Sequence, residues 1–150
     1  MGYVSPTTRA QSYLVTESVW NSDVVDNMIE AAIRTVNIPL DGNTYVLSTG
    51  IAARVYIAQD IIIQQVTLGL DQSGSIVLDL WVDTYANYPP DVGDTITASA
   101  KPTISGATKY QDGTLTGWTT SITGGSWLFI NIDSVTTATW CTCALKVSLE

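Results

Sequence analysis

The stretch from Ser75 to Asp83, SIVLDLWVD, alternates between aliphatic and other side chains and decides the expected fold. Successive side chains of a β-strand point to opposite faces, so one face of this stretch is wholly aliphatic: Ile76, Leu78, Leu80 and Val82. The other face places Trp81 between Asp79 and Asp83. The alternation predicts a strand that buries its aliphatic face and turns a tryptophan, flanked by two carboxylates, away from the core.

Similar runs follow one another at short intervals on both sides of this strand. They are TYVLST, AARVYIA, IIIQQVTLGL, DTITASA, TLTGWTTSI, SWLFINID and TATWCTCALKV, and clusters of Gly, Asn, Asp and Pro separate most of them. Residues 85–94, YANYPPDVGD, are predicted to form a loop, because two prolines exclude a central strand. The pattern predicts a mainly β domain over residues 40–150, built as an antiparallel β-sandwich or barrel.

The segment before the β-rich runs has a helical period between residues 18 and 34. Its apolar side chains recur at spacings of one, three and four: Trp20, Val24, Val25, Met28, Ile29, Ala32 and Ile33. Such a stripe lies on one face of a helix. The sequence therefore predicts an extended arm over residues 1–17, which lack a clean period, and an amphipathic helix over residues 18–36.

Aromatic side chains recur on the outward faces of two further predicted strands. The outward positions of SWLFINID include Trp127 and Phe129, and those of TATWCTCALKV include Trp140. Single exposed aromatics are common, and a loop or the helix folded over this face would also bury them. Alternatively, the aromatics form a binding surface for another protein, since tryptophan buries a large area with few torsions to freeze, or for sugar hydroxyls beside the aspartates. Alternation alone leaves these interpretations open.

Charged residues make up only 13% of the chain, and their balance is acidic, with a net charge of -8. A sparsely charged exterior is common where other subunits cover the surface. The acidic balance excludes the basic footprint of a nucleic-acid-binding protein, and no apolar run approaches the roughly 20 residues that span a bilayer. The N-terminal residues lack the apolar core of a secretory signal, so we expect a protein that folds in a cytosol.

The residue types leave little room for catalysis. The chain has no histidine, which excludes Ser-His-Asp and Cys-His mechanisms, and it has no glycine-rich phosphate loop. Asp79 and Asp83 lie four residues apart on one strand, about 13 Å at ~3.3 Å per residue, which exceeds the roughly 5 to 10 Å of a glycosidase pair. Cys141 and Cys143 point the same way from one strand, so we expect reduced, buried thiols. The sequence predicts no enzymatic activity, no cofactor and no metal.

Three phrases resemble modules of small structural proteins and fibres of tailed bacteriophages. Residues 88–139, YPPDVGDTITASAKPTISGATKYQDGTLTGWTTSITGGSWLFINIDSVTTAT, are similar to a module with a Pro-rich loop, a TGWT turn and a closing pair of strands. The preceding phrase QQVTLGLDQSGSIVLDLWVDTY also looks like that module. The phrase SPTTRAQSYLVTESVWNSDVVDNMIEAA is similar to a leader that anchors phage virion proteins to their particle. The resemblance implies a jelly-roll-like β-sandwich on the outer surface of a virion. It also implies that the protein forms an oligomer, with a homotrimer as the expected state.

The resemblance covers both capsid decoration (cement) proteins and fibre modules that recognise host glycans. No long repeat shaft is present in this chain, which favours the decoration protein over the fibre. We therefore expect contacts with copies of the chain itself and with a major capsid protein or another virion protein, and none with nucleic acid or membrane. The side chains expected at these contacts are Tyr3, Tyr13, Trp20, Val24, Met28, Ile29, Trp81, Trp127, Phe129 and Trp140.

Overall fold

The computed structural model describes Met28 and residues 32–150 of the chain. The strands of this part are β1 (Ile33–Asp41), β2 (Gly50–Ile57), β3 (Ile61–Thr84), β4 (Thr103–Asp112), β5 (Ser121–Ile122), β6 (Ser126–Thr136) and β7 (Trp140–Leu149). Short 3-10 helices at Tyr85–Asn87 and Val92–Asp94 lie between β3 and β4. No helix among the described residues has the length and apolar character to cross a membrane. The predicted mainly β class is confirmed.

The 24-residue strand β3 organises the sheet. Its first half, from Ile61 to Leu70, pairs with β7, and its second half, from Ser75 to Thr84, pairs with β6. Strands β4 and β5 pair with the opposite edge of β3. Because β4 pairs with both halves, β6 and β7 lie end to end along one edge. Strand β1 pairs with the outer edge of β7, and β2 pairs with the outer edge of β6. Following the hydrogen-bonded neighbours from β1 to β2 therefore gives the path β1-β7-β3-β6-β2.

The strands form one antiparallel sheet that curls around a single core. Inward side chains from both halves of β3 belong to one cluster, together with those of β1, β6 and β7; its fully buried members include Leu40, Leu68, Ile76, Leu78, Leu80, Leu128, Ile130 and Leu145. The aliphatic face predicted for SIVLDLWVD is therefore buried from Ile76 to Leu80. Burial of this kind contributes roughly 1.5–3 kcal/mol for each large aliphatic side chain.

The two halves of β3 meet at residues 71–74, which the sequence predicts as a break between two strands. The Asp71 carboxylate accepts hydrogen bonds from the Thr139 amide and hydroxyl and from the Trp140 amide, and so fixes the start of β7. Gly74 is buried here, and a Cβ at this position would collide with the Thr137 hydroxyl. These contacts, absent from any local pattern, keep β3 continuous through a turn-like sequence.

Several predicted strands have other conformations. Neither TYVLST nor DTITASA forms a strand, and TLTGWTTSI contributes only the two residues of β5. In the first case Asn43 and Thr44 adopt positive φ angles in a turn; in the second, threonine hydroxyls bind a carboxylate on β3. Strands β1 and β4 were not predicted. Ala138, which the alternation of TATWCTCALKV places on the same outward face as Trp140, is fully buried.

Most of the predicted arm and helix lies outside the described residues. At its C-terminal end the helix prediction over residues 18–36 is wrong, because β1 begins at Ile33. Val36 packs against the core, and Ile38 and Leu40 are buried within it. Val36, Ile38 and Leu40 follow the two-residue period of a strand. Their burial in the sheet determines the conformation here, rather than the helical period of the residues before them.

Candidate functional site

The outward face of the sheet carries rows of aromatic side chains across three strands. Trp127 on β6 lies opposite Tyr56 on β2 and Asp83 on β3. In the next row, Phe129 on β6 lies opposite Arg54 on β2 and Trp81 on β3. Directly opposed residues have Cβ atoms about 4.5–5.5 Å apart, so the strand register alone brings these side chains into contact distance.

Tyr88, from the loop after β3, completes this group. Its ring lies 5.4 Å from that of Trp127 and 5.7 Å from that of Phe129, edge-on in both cases. Tyr56 lies 5.4 Å from Trp127 at an interplanar angle of 57°. We call Tyr56, Trp81, Tyr88, Trp127 and Phe129 the aromatic face. Tilted packing of this kind stabilises aromatic pairs by about 0.5–1.5 kcal/mol each.

The members of the aromatic face differ in exposure. Phe129 is only 3% exposed, because Tyr88 covers one part of it and the Arg54 guanidinium lies 5.3 Å from its ring centroid. Tyr56 and Tyr88 remain 51% and 48% exposed. Trp127 is half-buried between them. The accessible part of the face is therefore a pair of tyrosines around one recessed tryptophan.

Residues 95–101, which we call the strap, run along the edge of β3 opposite β6. The Ile96 amide donates to the Leu80 carbonyl, and the Thr95 and Thr97 hydroxyls donate to Asp79 Oδ1 over 2.6 and 2.8 Å. At the end of the strap, Lys101 Nζ lies 2.9 Å from Asp79 Oδ2. Asp79, expected to face water, is consequently 1% exposed.

Lys101 also joins β3 to β6. Its Nζ donates to Asp133 Oδ2 over 2.6 Å, and Asp133 in turn accepts from the Asn131 amide group. These contacts raise the pKa of Lys101, with the Asp133 hydrogen bond as the main cause and Asp79 next. Burial by itself raises the pKa of Asp79, but the hydrogen bond of Thr95, the nearby Trp81 indole, the Lys101 ammonium and the hydrogen bond of Thr97 favour the anion and outweigh burial, so the pKa is lowered. The carboxylate is therefore held as an anion.

A carboxylate, that of Asp83, lies at the exposed end of the aromatic face. Asp83, opposite Trp127, accepts hydrogen bonds at Oδ1 from the Thr84 amide and from Asn87 Nδ2. In the loop that carries Tyr88, Asp91 and Asp94 form a reciprocal capping box around a 3-10 turn. Arg54, over Phe129, is the cation that the structure places in contact with the face. Asp83 is thus the carboxylate that the strand register places beside Trp127, and its hydrogen-bond donors among the described residues are neutral groups.

Outside the aromatic face and the strap, the described residues include two free cysteines and an open cleft. No cluster of three or more Cys, Asp and Glu that could hold a metal lies within residues 32–150. Cys141 and Cys143 are buried and unlinked, and burial raises the pKa of their thiols to about 11 and about 12. An open cleft of about 450 Å³ lies beside the turn after β1, at the other end of β2, and Tyr45 lines it. The outer face presents aromatic side chains with one carboxylate beside them.

The structure brings together some of the side chains predicted for contacts and separates others. Trp81 and Trp127 belong to the aromatic face, each half-buried, and their indole N–H groups find no hydrogen-bond acceptor among the described residues. The structure corrects the prediction that Phe129 contacts a partner. Tyr88 and Arg54 of its own chain bury the Phe129 ring, so it is not exposed to another protein. Trp140 is exposed at the start of β7, without a ring contact to the face.

The remaining predicted contact residues fall in the N-terminal segment. Met28 is exposed; the others, Tyr3, Tyr13, Trp20, Val24 and Ile29, lie outside the described residues. Sequence reasoning missed Tyr56 and Tyr88. The alternation of AARVYIA places Tyr56 on the outward face and was a usable signal, whereas the position of Tyr88 depends on the path of a loop.

Comparison with known proteins found no matching family model, no similar curated protein and no similar solved structure. The geometry of the aromatic face, the strap and the Asp83 carboxylate is therefore the basis for assigning a role.

Proposed function

We propose that this chain is a virion structural protein of the tailed-phage type, a capsid decoration protein with a jelly-roll-like domain, and that its aromatic face is covered by another virion subunit. The observation that carries the proposal is the half-exposed pair Tyr56 and Tyr88 around Trp127. Such a protein works by adhesion rather than by chemistry. Many copies on one particle multiply modest contacts into stable attachment.

The composition of the face supports a protein partner. Tyrosine and tryptophan are enriched at the centres of protein interfaces, where they supply most of the binding energy, and lysine is depleted. The ring packing also gives a preorganised surface, since Tyr56, Tyr88 and Trp127 hold one another in place. Preorganisation lowers the entropy lost on binding.

Recognition of host glycans by a fibre is the competing assignment. A sugar ring stacks on an aromatic face that is open and flat. Here Tyr88 packs edge-on over both Trp127 and Phe129, and Tyr56 is tilted by 57° against Trp127. These rings present ridges, which favours interlocking with side chains of a protein over stacking of a sugar.

Mass spectrometry of intact particles carrying this chain tests the proposal. A decoration protein is present in hundreds of copies, whereas a fibre or tail part has on the order of a dozen, as capsid and tail symmetries require. In solution we expect an oligomer, with a trimer at three times the 16.1 kDa chain mass. A low copy number together with binding on a glycan array would establish the fibre instead.

Substitutions in the aromatic face test whether this face makes the contact with the particle. Tyr56→Ala and Tyr88→Ala should each release the chain from particles more easily under dilution, by about fivefold or more, as expected for interface centres worth at least about 1 kcal/mol. Tyr45→Ala is the control, since Tyr45 is an exposed tyrosine, at 76% against 51% for Tyr56 and 48% for Tyr88, that lies at the other end of β2. Release that does not differ between Tyr45→Ala and the other variants would place the contact elsewhere.

A further inference from the structure

We propose that the aromatic face receives an extended segment of a different protein that carries proline over Trp127 and an arginine or lysine against Asp83. This inference rests on the proposed function, because it names the chemistry of the partner at the same face. Three observations lead to it: the shape of the ring cluster, the Asp83 carboxylate at its edge, and a guanidinium already packed on one of its rings.

The ring cluster has the features that recognise proline. Tyr56 and Tyr88 each contact Trp127, at 5.4 Å, and no ring contact joins the two tyrosines to each other. Their tilt raises half-exposed edges beside a recessed indole. Proline-rich segments dock on aromatic-lined surfaces because their extended helix is preformed and loses little entropy on binding. Tyr56 and Tyr88 lie on either side of the Trp127 indole, and two aromatic rings separated in this way suit the three-residue repeat of a polyproline II helix.

The Asp83 carboxylate determines the charge of the segment. Asp83 lies opposite Trp127 in the strand register, so the Cβ atoms of the two residues are about 5 Å apart. Its Oδ1 accepts hydrogen bonds from the Thr84 amide and from Asn87 Nδ2, which fixes the orientation of the carboxylate. A basic side chain near the proline therefore meets complementary charge.

Net charge argues against a second copy at this face. The whole chain carries a net charge of -8, which opposes the close approach of two copies. Like charges across an interface suppress pairing. Arg54, packed 5.3 Å from the Phe129 ring centroid, is an intramolecular example of the contact that a partner's arginine makes with Tyr56 or Tyr88.

Titration of the full chain with a synthetic peptide tests the inference. The probe is a short peptide with two prolines three residues apart and an arginine two residues after the second, followed by tryptophan fluorescence and by chemical-shift mapping. We expect saturable binding with shifts centred on Trp127 and Tyr88, weakened by raised salt. Tyr56→Ala and Asp83→Asn should each weaken binding about fivefold or more, while Tyr45→Ala leaves it unchanged.

Control peptides separate the two parts of the inference. Replacing the arginine with glutamate, or both prolines with alanine, should reduce the affinity by about tenfold. Equal binding of the glutamate peptide overturns the assignment of charge, and equal binding of the alanine peptide overturns that of proline. Absence of binding at millimolar peptide overturns both, as does salt-sensitive self-association through Trp127.

The failure of this inference is distinguishable from failure of the proposed function. Copy number per particle and release of Tyr88→Ala from particles do not depend on which segment covers the face. If the peptides fail while Tyr88→Ala still detaches, the face is a virion contact with a partner of other chemistry. If a glycan array is positive at Trp127 instead, both assignments fall.

Discussion

Asp79→Asn tests whether one buried carboxylate holds the strap against β3. The substitution keeps the size of the side chain and an oxygen that can accept from Thr95 and Thr97. It removes the negative charge that Lys101 Nζ contacts at 2.9 Å and places an amide N–H₂ against that ammonium. The perturbation is therefore electrostatic, with little change in packing.

The magnitude follows from burial. Hydrogen bonds to charged groups contribute about 1.5–3 kcal/mol, and removal of one partner of a fully buried ion pair costs about 3–5 kcal/mol. Lys101 is 31% exposed and keeps Asp133, so its charge is not stranded. We therefore expect Asp79→Asn to lower the free energy of unfolding by about 2–3 kcal/mol, which corresponds to roughly 4–12 °C in Tm for a chain of this length.

The chain offers a matched control on the same lysine. Asp133→Asn removes a carboxylate that lies closer to Lys101 Nζ, at 2.6 Å, but is 29% exposed. Solvent screens such a pair, and exposed ion pairs contribute about 0–1 kcal/mol. If distance alone determined the contribution to stability, Asp133→Asn would be the more destabilising substitution. If burial determines it, Asp79→Asn is the more destabilising one.

Urea unfolding followed by tryptophan fluorescence measures both variants. We expect the midpoint to fall for Asp79→Asn with an unchanged slope, and acrylamide to quench Trp81 more readily if the strap loosens. Equal losses for Asp79→Asn and Asp133→Asn would refute the reasoning, because the buried carboxylate would then contribute no more than a surface pair.

Further predictions concern acid, thiols and the junction within β3. Because the folded pKa of Asp79 lies below its ordinary value of 3.8, this group stabilises the fold above that pH and the contribution is lost as pH falls through the folded pKa; stability measured between pH 5 and 2 should fall more steeply in the wild type than in Asp79→Asn. Cys141 and Cys143, with pKa values raised to about 11 and about 12, should be unreactive towards a thiol reagent at pH 8 until urea unfolds the chain, and their contribution to stability should decline as pH rises from 9 towards 11. Gly74→Ala should lower the unfolding free energy by about 1–3 kcal/mol in a thermal or urea titration, because its Cβ would collide with the Thr137 hydroxyl and lie 2.8 Å from the Thr136 carbonyl oxygen; an unchanged midpoint would mean that the junction relaxes.

The sequence predicts best where one strand face is aliphatic. Ile76, Leu78 and Leu80 are buried as their alternation requires, and the same is true of Cys141 and Cys143 in β7. A period of two carries this information because burial of one face depends only on the strand itself.

Prediction fails where a residue's surroundings come from distant parts of the chain. The segment TISGATKYQD of β4 is mostly exposed and has no clear alternation, and it forms a strand because its backbone pairs with β3. Phe129 is buried by a tyrosine 41 positions earlier in the chain, whose position is set by the path of its loop. Neither the pairing of β4 with β3 nor the contact of Tyr88 with Phe129 produces a pattern in the local sequence, so neither could be predicted from it.

Asp79 and Asp83 resolve the question posed by a tryptophan between two carboxylates. They are the same residue type on the same face of one strand, yet Asp79 is buried and Asp83 is not. The difference lies in their partners. Lys101 and two threonine hydroxyls neutralise and cover Asp79, so the strap closes the face as far as Trp81.

Beyond Trp81 no cation of the described residues pairs with Asp83, whose hydrogen bonds come from Thr84 and Asn87 of its own loop. Burial of an unpaired carboxylate is unfavourable by several kcal/mol, so the chain cannot extend the strap's cover over this end of the face. Trp127, opposite Asp83, consequently remains half-buried with two half-exposed tyrosines beside it. In the proposed complex, a partner that supplies the missing cation removes this penalty, and for this reason we propose that the open end of the face and the Asp83 carboxylate at its edge act together in binding.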